Sequence, residues 1–367
     1  MKHLFTNSLF PVLAGSGGFF VLAGLLHTIP ANADAIGWND YNRETVEQDI
    51  LPAYQRLAEK ASTLATATSE LCRSTDETHL DSVHSAFSST MYTWQGVSAI
   101  QFGPIQFLMR NYAIQYWPDR KSIGRRQLQS VLEMPADTRF DATFFHQASV
   151  SIKGLPALER LLYNDDALSQ LQGPGLNCRL ASAIANNVAE MTQSVANDWQ
   201  QGYEAMLTVT PDDDGESGPV PELSINLMKS LVEPVEMIRD TKLRAVMGRG
   251  PDATYPHRAE SWMSEQSLAN IRANLQAAHR LYTGESAGLD LMLKQQGHAE
   301  LAEEIEQQFR QIETSLAPLG DSLVAALGRD YSSLLELTAQ FKSLDESLNQ
   351  AMQALDVQLG FNSRDGD

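Results

Sequence analysis

The sequence lacks the motifs that mark several common enzyme classes. It has no Gly-rich phosphate loop, no C-x-x-C and no H-E-x-x-H pair. Those are the signatures of P-loop NTPases, dithiol redox proteins and zincins. Positive charge is also scarce: 27 Lys and Arg stand against 46 Asp and Glu, for a formal net charge of -19. A nucleic-acid partner is excluded on that balance, because phosphate neutralisation needs clustered Lys and Arg. The charge suits a protein that stays soluble or attracts cations. Apolar residues do not alternate at period two, so nothing calls for a sheet. Beyond the N-terminal segment, no stretch is long and apolar enough to span a bilayer. The eight histidines are scattered. Only His79 and His84 are close, and a spacing of five does not stack two ligands on one helical face.

What is present is a globular composition, 43% hydrophobic and 20% charged over 367 residues, long enough for two domains. The first 33 residues read as a secretory signal. A basic start, Met1-Lys2-His3, precedes an apolar run from about Leu9 to Leu26 that Pro11 and Gly15-Ser16-Gly17-Gly18 interrupt. Ala31-Asn32-Ala33 then gives a small-x-small cleavage site, with Asp34 as first mature residue. A retained anchor is the alternative. Leu25 stands where a lipoprotein signal needs its acylated Cys, so no lipid is expected.

The rest reads as helical. Leu57, Ala61, Leu64, Thr68 and Leu71 form a stripe ending at Cys72, and Cys178 opens another: Ile184, Val188, Met191, Val195, Trp199. The two cysteines can join antiparallel neighbours in a bundle, as an even count in an exported chain suggests. Two buried free thiols are the alternative. A second helix runs from His79 to Gln101 and stops at Gly103-Pro104. The acidic, Pro- and Gly-rich segment 208–221 has no period and reads as a linker. Asp212, Asp214 and Gly215 suggest a calcium loop, but Thr210 and Pro221 fall at the first and last template positions and exclude it. Helical stripes resume over 222–360: Ile271, Leu275, Ala278, Tyr282; Leu301, Ile305, Phe309, Ile312, Leu316; Leu344, Leu348, Met352, Leu355, Leu359. Residues 361–367 make a polar tail. The expectation is an all-α fold of two helical-bundle domains, 34–207 and 222–360, with an ancient duplication as a possibility.

The chain is organised around Lys153-Gly154-Leu155-Pro156-Ala157-Leu158-Glu159-Arg160-Leu161-Leu162-Tyr163. Pro156 fits a first helical turn, where its missing N–H costs nothing. Gly154 before it can supply an unusual backbone angle. Leu155, Leu158, Leu161 and Leu162 share one face. Glu159 beside that stripe is either a carboxylate near a helix N-terminus or a buried functional group. His146 lies eight residues before Gly154 and can approach Glu159 in space; a structural histidine is the alternative.

Gly103-Pro104, Trp117-Pro118-Asp119, the Gly154–Glu159 stretch, Leu268-Ala269-Asn270-Ile271-Arg272-Ala273-Asn274-Leu275 and Gly288-Leu289-Asp290 occur in an order that resembles the imelysin-like family. The resemblance is narrower still to its periplasmic branch, and it covers nearly the whole mature chain. It implies a two-domain helical fold, a cleft between the domains holding the motif region, and a periplasmic or cell-envelope protein of a Gram-negative bacterium tied to iron uptake or regulation. Imelysin itself is classed as a metallopeptidase. The family motif is G-x-H-x-x-E, whose His and Glu share one helical face and can both reach a metal. Here Gly154 and Glu159 match, but Pro156 stands at the His position and offers no ligand atom.

The resemblance therefore implies a non-catalytic protein that binds iron, an iron complex or an envelope iron-uptake component. A metallopeptidase and a helical scaffold without a small ligand are the alternatives. Glu159, Gly154 and Pro156 mark the expected cleft, Trp117 and Asp119 its wall, and Arg110 and Lys153 partners for its carboxylates. Glu159, His146 and Glu236 are the candidate ligands for iron or another divalent cation. Glu233, Glu236 and Asp240 recur along one helix with Arg239 and Lys242 beside them, either facing the cleft or forming a solvated face.

Overall fold

The structure, a computed structural model, describes residues 35–119, 121–173, 175–207 and 220–360. The expected signal peptide, the calcium-like acidic segment, most of the 208–221 linker and the 361–367 tail lie outside the described residues.

Helices α1 (Trp38–Glu44), α2 (Leu51–Arg73), α3 (Glu77–Gln95), α4 (Arg110–Ile114), α5 (Ile123–Leu132), α6 (Ala142–Gln147), α7 (Leu155–Leu162), α8 (Ala167–Gln172) and α9 (Asn177–Leu207) make the first half. The second half holds α10 (Glu222–Met237), α11 (Ala245–Met247), α12 (Ser267–Thr283), α13 (Leu289–Gln295), α14 (Ala299–Leu316), α15 (Leu323–Arg329) and α16 (Tyr331–Ala354). Among the described residues the regular elements are all helices, with no strand, so the fold is all-α. Among the described residues, no helix is long and apolar enough to cross a membrane.

The stripes of the sequence become the packing faces. Leu57, Ala61, Leu64, Thr68 and Leu71 of α2 are sealed from solvent and face α9 and α3. A fully buried leucine of this kind contributes about 1.5–3 kcal/mol of transfer free energy. In α9 the buried line is Ile184, Val188, Thr192, Val195 and Trp199; Met191, expected on it, is only half-buried. Cys72 and Cys178 form a disulfide, with Cα atoms 5.5 Å apart, that staples the end of α2 to the start of α9.

In the second half, α14 packs on α16, and α10 packs on α16 and α12. Helix α12 also lies against α3, and α1 against α10. One continuous cluster of buried apolar side chains runs from Tyr41 in the first half to Val357 in the second. Helix α3 ends at Gln95, earlier than its pattern suggested, because the chain turns at Gly96 and continues as a turn segment.

Two stretches widen to π-helix: Thr45–Ile50 between α1 and α2, and Ile238–Arg244 after α10. Each extra residue in a π turn shifts the faces that follow it. The second stretch matters for function. It breaks the spacing on which Glu233, Glu236 and Asp240 were read as one face, and it carries Lys242 into the interior.

Candidate functional site

Gly154 is the N-cap of helix α7, with Pro156 in the first turn. Gly154 has φ of -133° and ψ of -163°, ordinary extended backbone, so the expected unusual angle is not why glycine sits here. The reason is contact. A Cβ would lie 2.1 Å from the carbonyl oxygen of Ala113 and 2.2 Å from that of Ile114. The start of α7 is thus pressed onto the end of α4, which fixes where Pro156 and Glu159 point.

Both of those residues line a cleft of about 910 Å³. Its walls also hold Trp117, Asp119, Arg160, Asp240, Glu260 and Trp262. This volume lies in the range of small-molecule sites. Asp119, largely buried, accepts from the backbone N–H groups of Ile123 (2.6 Å) and Gly124 (3.0 Å) at the start of α5. It also pairs with Arg160 of α7 at 3.4 Å. One carboxylate therefore ties α5 to α7 along the cleft wall.

Glu159 is only 7% exposed. Its Oε1 accepts from the backbone N–H of Ser264 (2.9 Å) and from that residue's hydroxyl (2.6 Å). Removal from water raises its carboxyl pKa above the usual range. The Ser264 bonds and the Arg160 charge pull it back, and Glu260 pushes it up further. The carboxyl is thus a buried, hydrogen-bonded group linking α7 to the loop before α12, rather than a helix-terminal charge.

Beneath the cleft lies a polar network that the sequence reading did not single out. Lys242 Nζ donates to Glu260 Oε2 (2.7 Å), Asn274 Oδ1 (2.7 Å) and Gln95 Oε1 (2.9 Å), so all three of its protons are used. Glu260 also accepts from Asn270 Nδ2 (2.9 Å) and Gln115 Nε2 (3.0 Å). Gln115 in turn accepts from Trp94 Nε1 at 2.6 Å. Asn274 donates back to the Gln95 carbonyl at 2.8 Å. Lys242 and Glu260 are 2% and 3% exposed, so the charges are matched in a nearly dry interior. Burial lowers the Lys242 pKa, and Glu260 opposes that shift. The signal for this network was Asn270 and Asn274, four apart on the apolar face of α12. Lys242 could not be placed without the π turn, and Glu260 stands in an irregular loop.

The remaining expected residues lie elsewhere. Arg110 donates to Asp198 Oδ2 on α9 (2.6 Å) and to the Pro104 carbonyl (3.1 Å), not to a cleft carboxylate. Lys153 does not line the cleft; its carbonyl accepts from Asn187 Nδ2 at 2.9 Å, and burial lowers its ammonium pKa. His146 is exposed on α6. Glu236 lies 4.0 Å from Arg239. Among the described residues, no three His, Cys, Asp or Glu side chains come together as a metal site. Glu159, His146 and Glu236 are therefore not assembled around one ion. The cleft carboxylates themselves are committed to donors: Glu159 to Ser264, Glu260 to Lys242, Asp119 to Arg160. This donor set does not fit a resident divalent cation, which needs several uncommitted oxygens.

The chain is an all-α protein with a polar-floored cleft between its helices. Residues 50–354 match the family model described as Imelysin, peptidase M75. The chain belongs to the imelysin family. It is 23% identical over 307 residues to "Iron-regulated protein A" of Synechococcus elongatus, covering 80% of each chain. Its fold is similar to a crystal structure of an imelysin-like protein from Psychrobacter arcticum, with a TM-score of 0.75, 20% identity, and coverage of 90% of this chain and 99% of that one. It is also similar to a putative iron-regulated protein A precursor from Parabacteroides distasonis, with a TM-score of 0.61, 14% identity, and coverage of 89% and 98%.

Proposed function

We propose that this chain is an exported, periplasmic, non-catalytic binding protein of iron uptake or iron regulation, and that the Glu159 cleft is its binding site. In this reading residues 1–33 are a cleaved signal, no lipid is attached, and two bundle domains meet across the 208–221 segment. The observation that carries the non-catalytic reading is Pro156. It lines the cleft three residues before Glu159, at the position where a His–Glu pair would need its histidine. Glu159 is also held by Ser264 rather than left open as a ligand. The link to iron is supported by the names of two relatives, "Iron-regulated protein A" and a precursor of that description.

A cleft of this size suits an iron complex or another organic ligand better than a bare ion. Incubating the mature protein with zinc or ferrous iron and a denatured protein substrate tests the non-catalytic half. No cleavage is expected, and metal-dependent cleavage abolished by Glu159→Ala contradicts the reading.

A further inference from the structure

The charges of the cleft divide into those with an ionic partner and those without one. In the wall and floor, each of three carboxylates has a cationic partner: Asp119 has Arg160, Asp240 has Arg239 and Arg244, and Glu260 has Lys242. The fourth carboxyl, Glu159, is held by the Ser264 hydroxyl and amide through Oε1. At the edge stand Arg125, His257 and Arg258, all exposed and all lining the cleft. Among the described residues none of these three side chains has a carboxylate partner. Aromatic rings hold two of them instead. The Arg258 guanidinium lies 4.0 Å over the Tyr255 ring, and the His257 ring lies 4.4 Å from that of Trp262. A guanidinium held by its flat face keeps its N–H fork available for a bidentate anion.

We propose that the cleft recognises an organic polycarboxylate, free or as its iron complex, whose carboxylates meet Arg125 and Arg258 at the edge and whose body lies along Trp117 and Trp262. This rests on the binding reading above and names its ligand class. The charge pattern is the reverse of a bare cation site: acids are neutralised, and uncommitted arginines face outward. In a chain of net charge -19, Arg125 and Arg258 are, among the described residues, the cleft cations without a carboxylate partner. They offer an anion a place of attachment that the remaining acidic surface does not.

The test is calorimetric titration of the mature protein with citrate, 1,2,4-benzenetricarboxylate, inorganic phosphate and ferric citrate. Both tricarboxylates should bind, more weakly as salt rises. Arg125→Glu and Arg258→Glu should each weaken them by about tenfold or more. Lys342→Glu, the same charge change on exposed α16 outside the cleft, should leave binding unaltered. All three arginine and lysine sites are exposed, so folding is preserved and can be verified by circular dichroism.

If neither tricarboxylate binds at millimolar concentration, or all three charge reversals act alike, the proposal is overturned. Phosphate competing as well as the tricarboxylates overturns the carboxylate class. Ferric citrate binding no tighter than citrate removes the iron link while leaving the anion site standing, so the two readings fail separately.

Discussion

Removing the Lys242 ammonium should be among the most destabilising single changes in the protein. Its three protons go to Glu260, Asn274 and Gln95 at 2.7–2.9 Å, and both charged partners are at most 3% exposed. Lys242→Met keeps most of the side-chain volume but leaves the Glu260 carboxylate without its counter-charge and Asn274 Oδ1 without its donor. Breaking a buried pair from one side costs about 3–5 kcal/mol. At about 2–4 °C per kcal/mol for a chain of this size class, Tm should fall by roughly 6–20 °C. Lys242→Met/Glu260→Gln removes both charges, and it should recover at least about 1 kcal/mol of that loss. Urea unfolding of the four proteins of this double-mutant cycle gives the coupling directly. A Lys242→Met loss below about 1 kcal/mol, or strict additivity with Glu260→Gln, would mean the network is not the dry junction described here.

Two further outcomes follow from the same structure. Opening the Cys72–Cys178 bond, which closes a loop of 106 residues, should cost about 4–5 kcal/mol in the chain-entropy treatment; equal thermal melts with and without reductant would contradict this. The raised pKa of Glu159 makes the folded state bind its proton more tightly than the unfolded chain does. Its contribution is therefore fully present below the unfolded value of about 4.3 and is lost as pH rises through the folded value. Glu159→Gln, which still accepts from Ser264, should flatten stability against pH above about 4.3; an unchanged slope in denaturant midpoints from acid to neutral pH would contradict the assignment.

Much of the fold was legible because helical packing writes itself as spacing. Leu57 to Leu71 and Leu344 to Leu355 are buried as their three-and-four periodicity requires. The disulfide followed from two cysteines at facing helix ends. The cleft was legible in part: Trp117, Asp119, Pro156 and Glu159 do line one cavity. Arg110 and Lys153 were misplaced because their charge was read without their elements; Arg110 belongs to α4 and meets Asp198 of α9. Gly154 was read as a torsion and proved to be a contact with α4. Lys242 and Glu260 were out of reach for a physical reason. A π turn and an irregular loop bring them together, and neither leaves a periodic mark on the sequence.

The central claim is that the Glu159 cleft binds an iron-related ligand without catalysis. Parallel calorimetric titrations of ferric citrate and haem into the mature wild-type protein and Glu159→Ala test it most directly. The account predicts that wild-type protein binds at least one of these forms and that Glu159→Ala, shown folded by circular dichroism, loses that binding. Binding that persists unchanged in Glu159→Ala, or no binding of any iron form by the wild type, contradicts it.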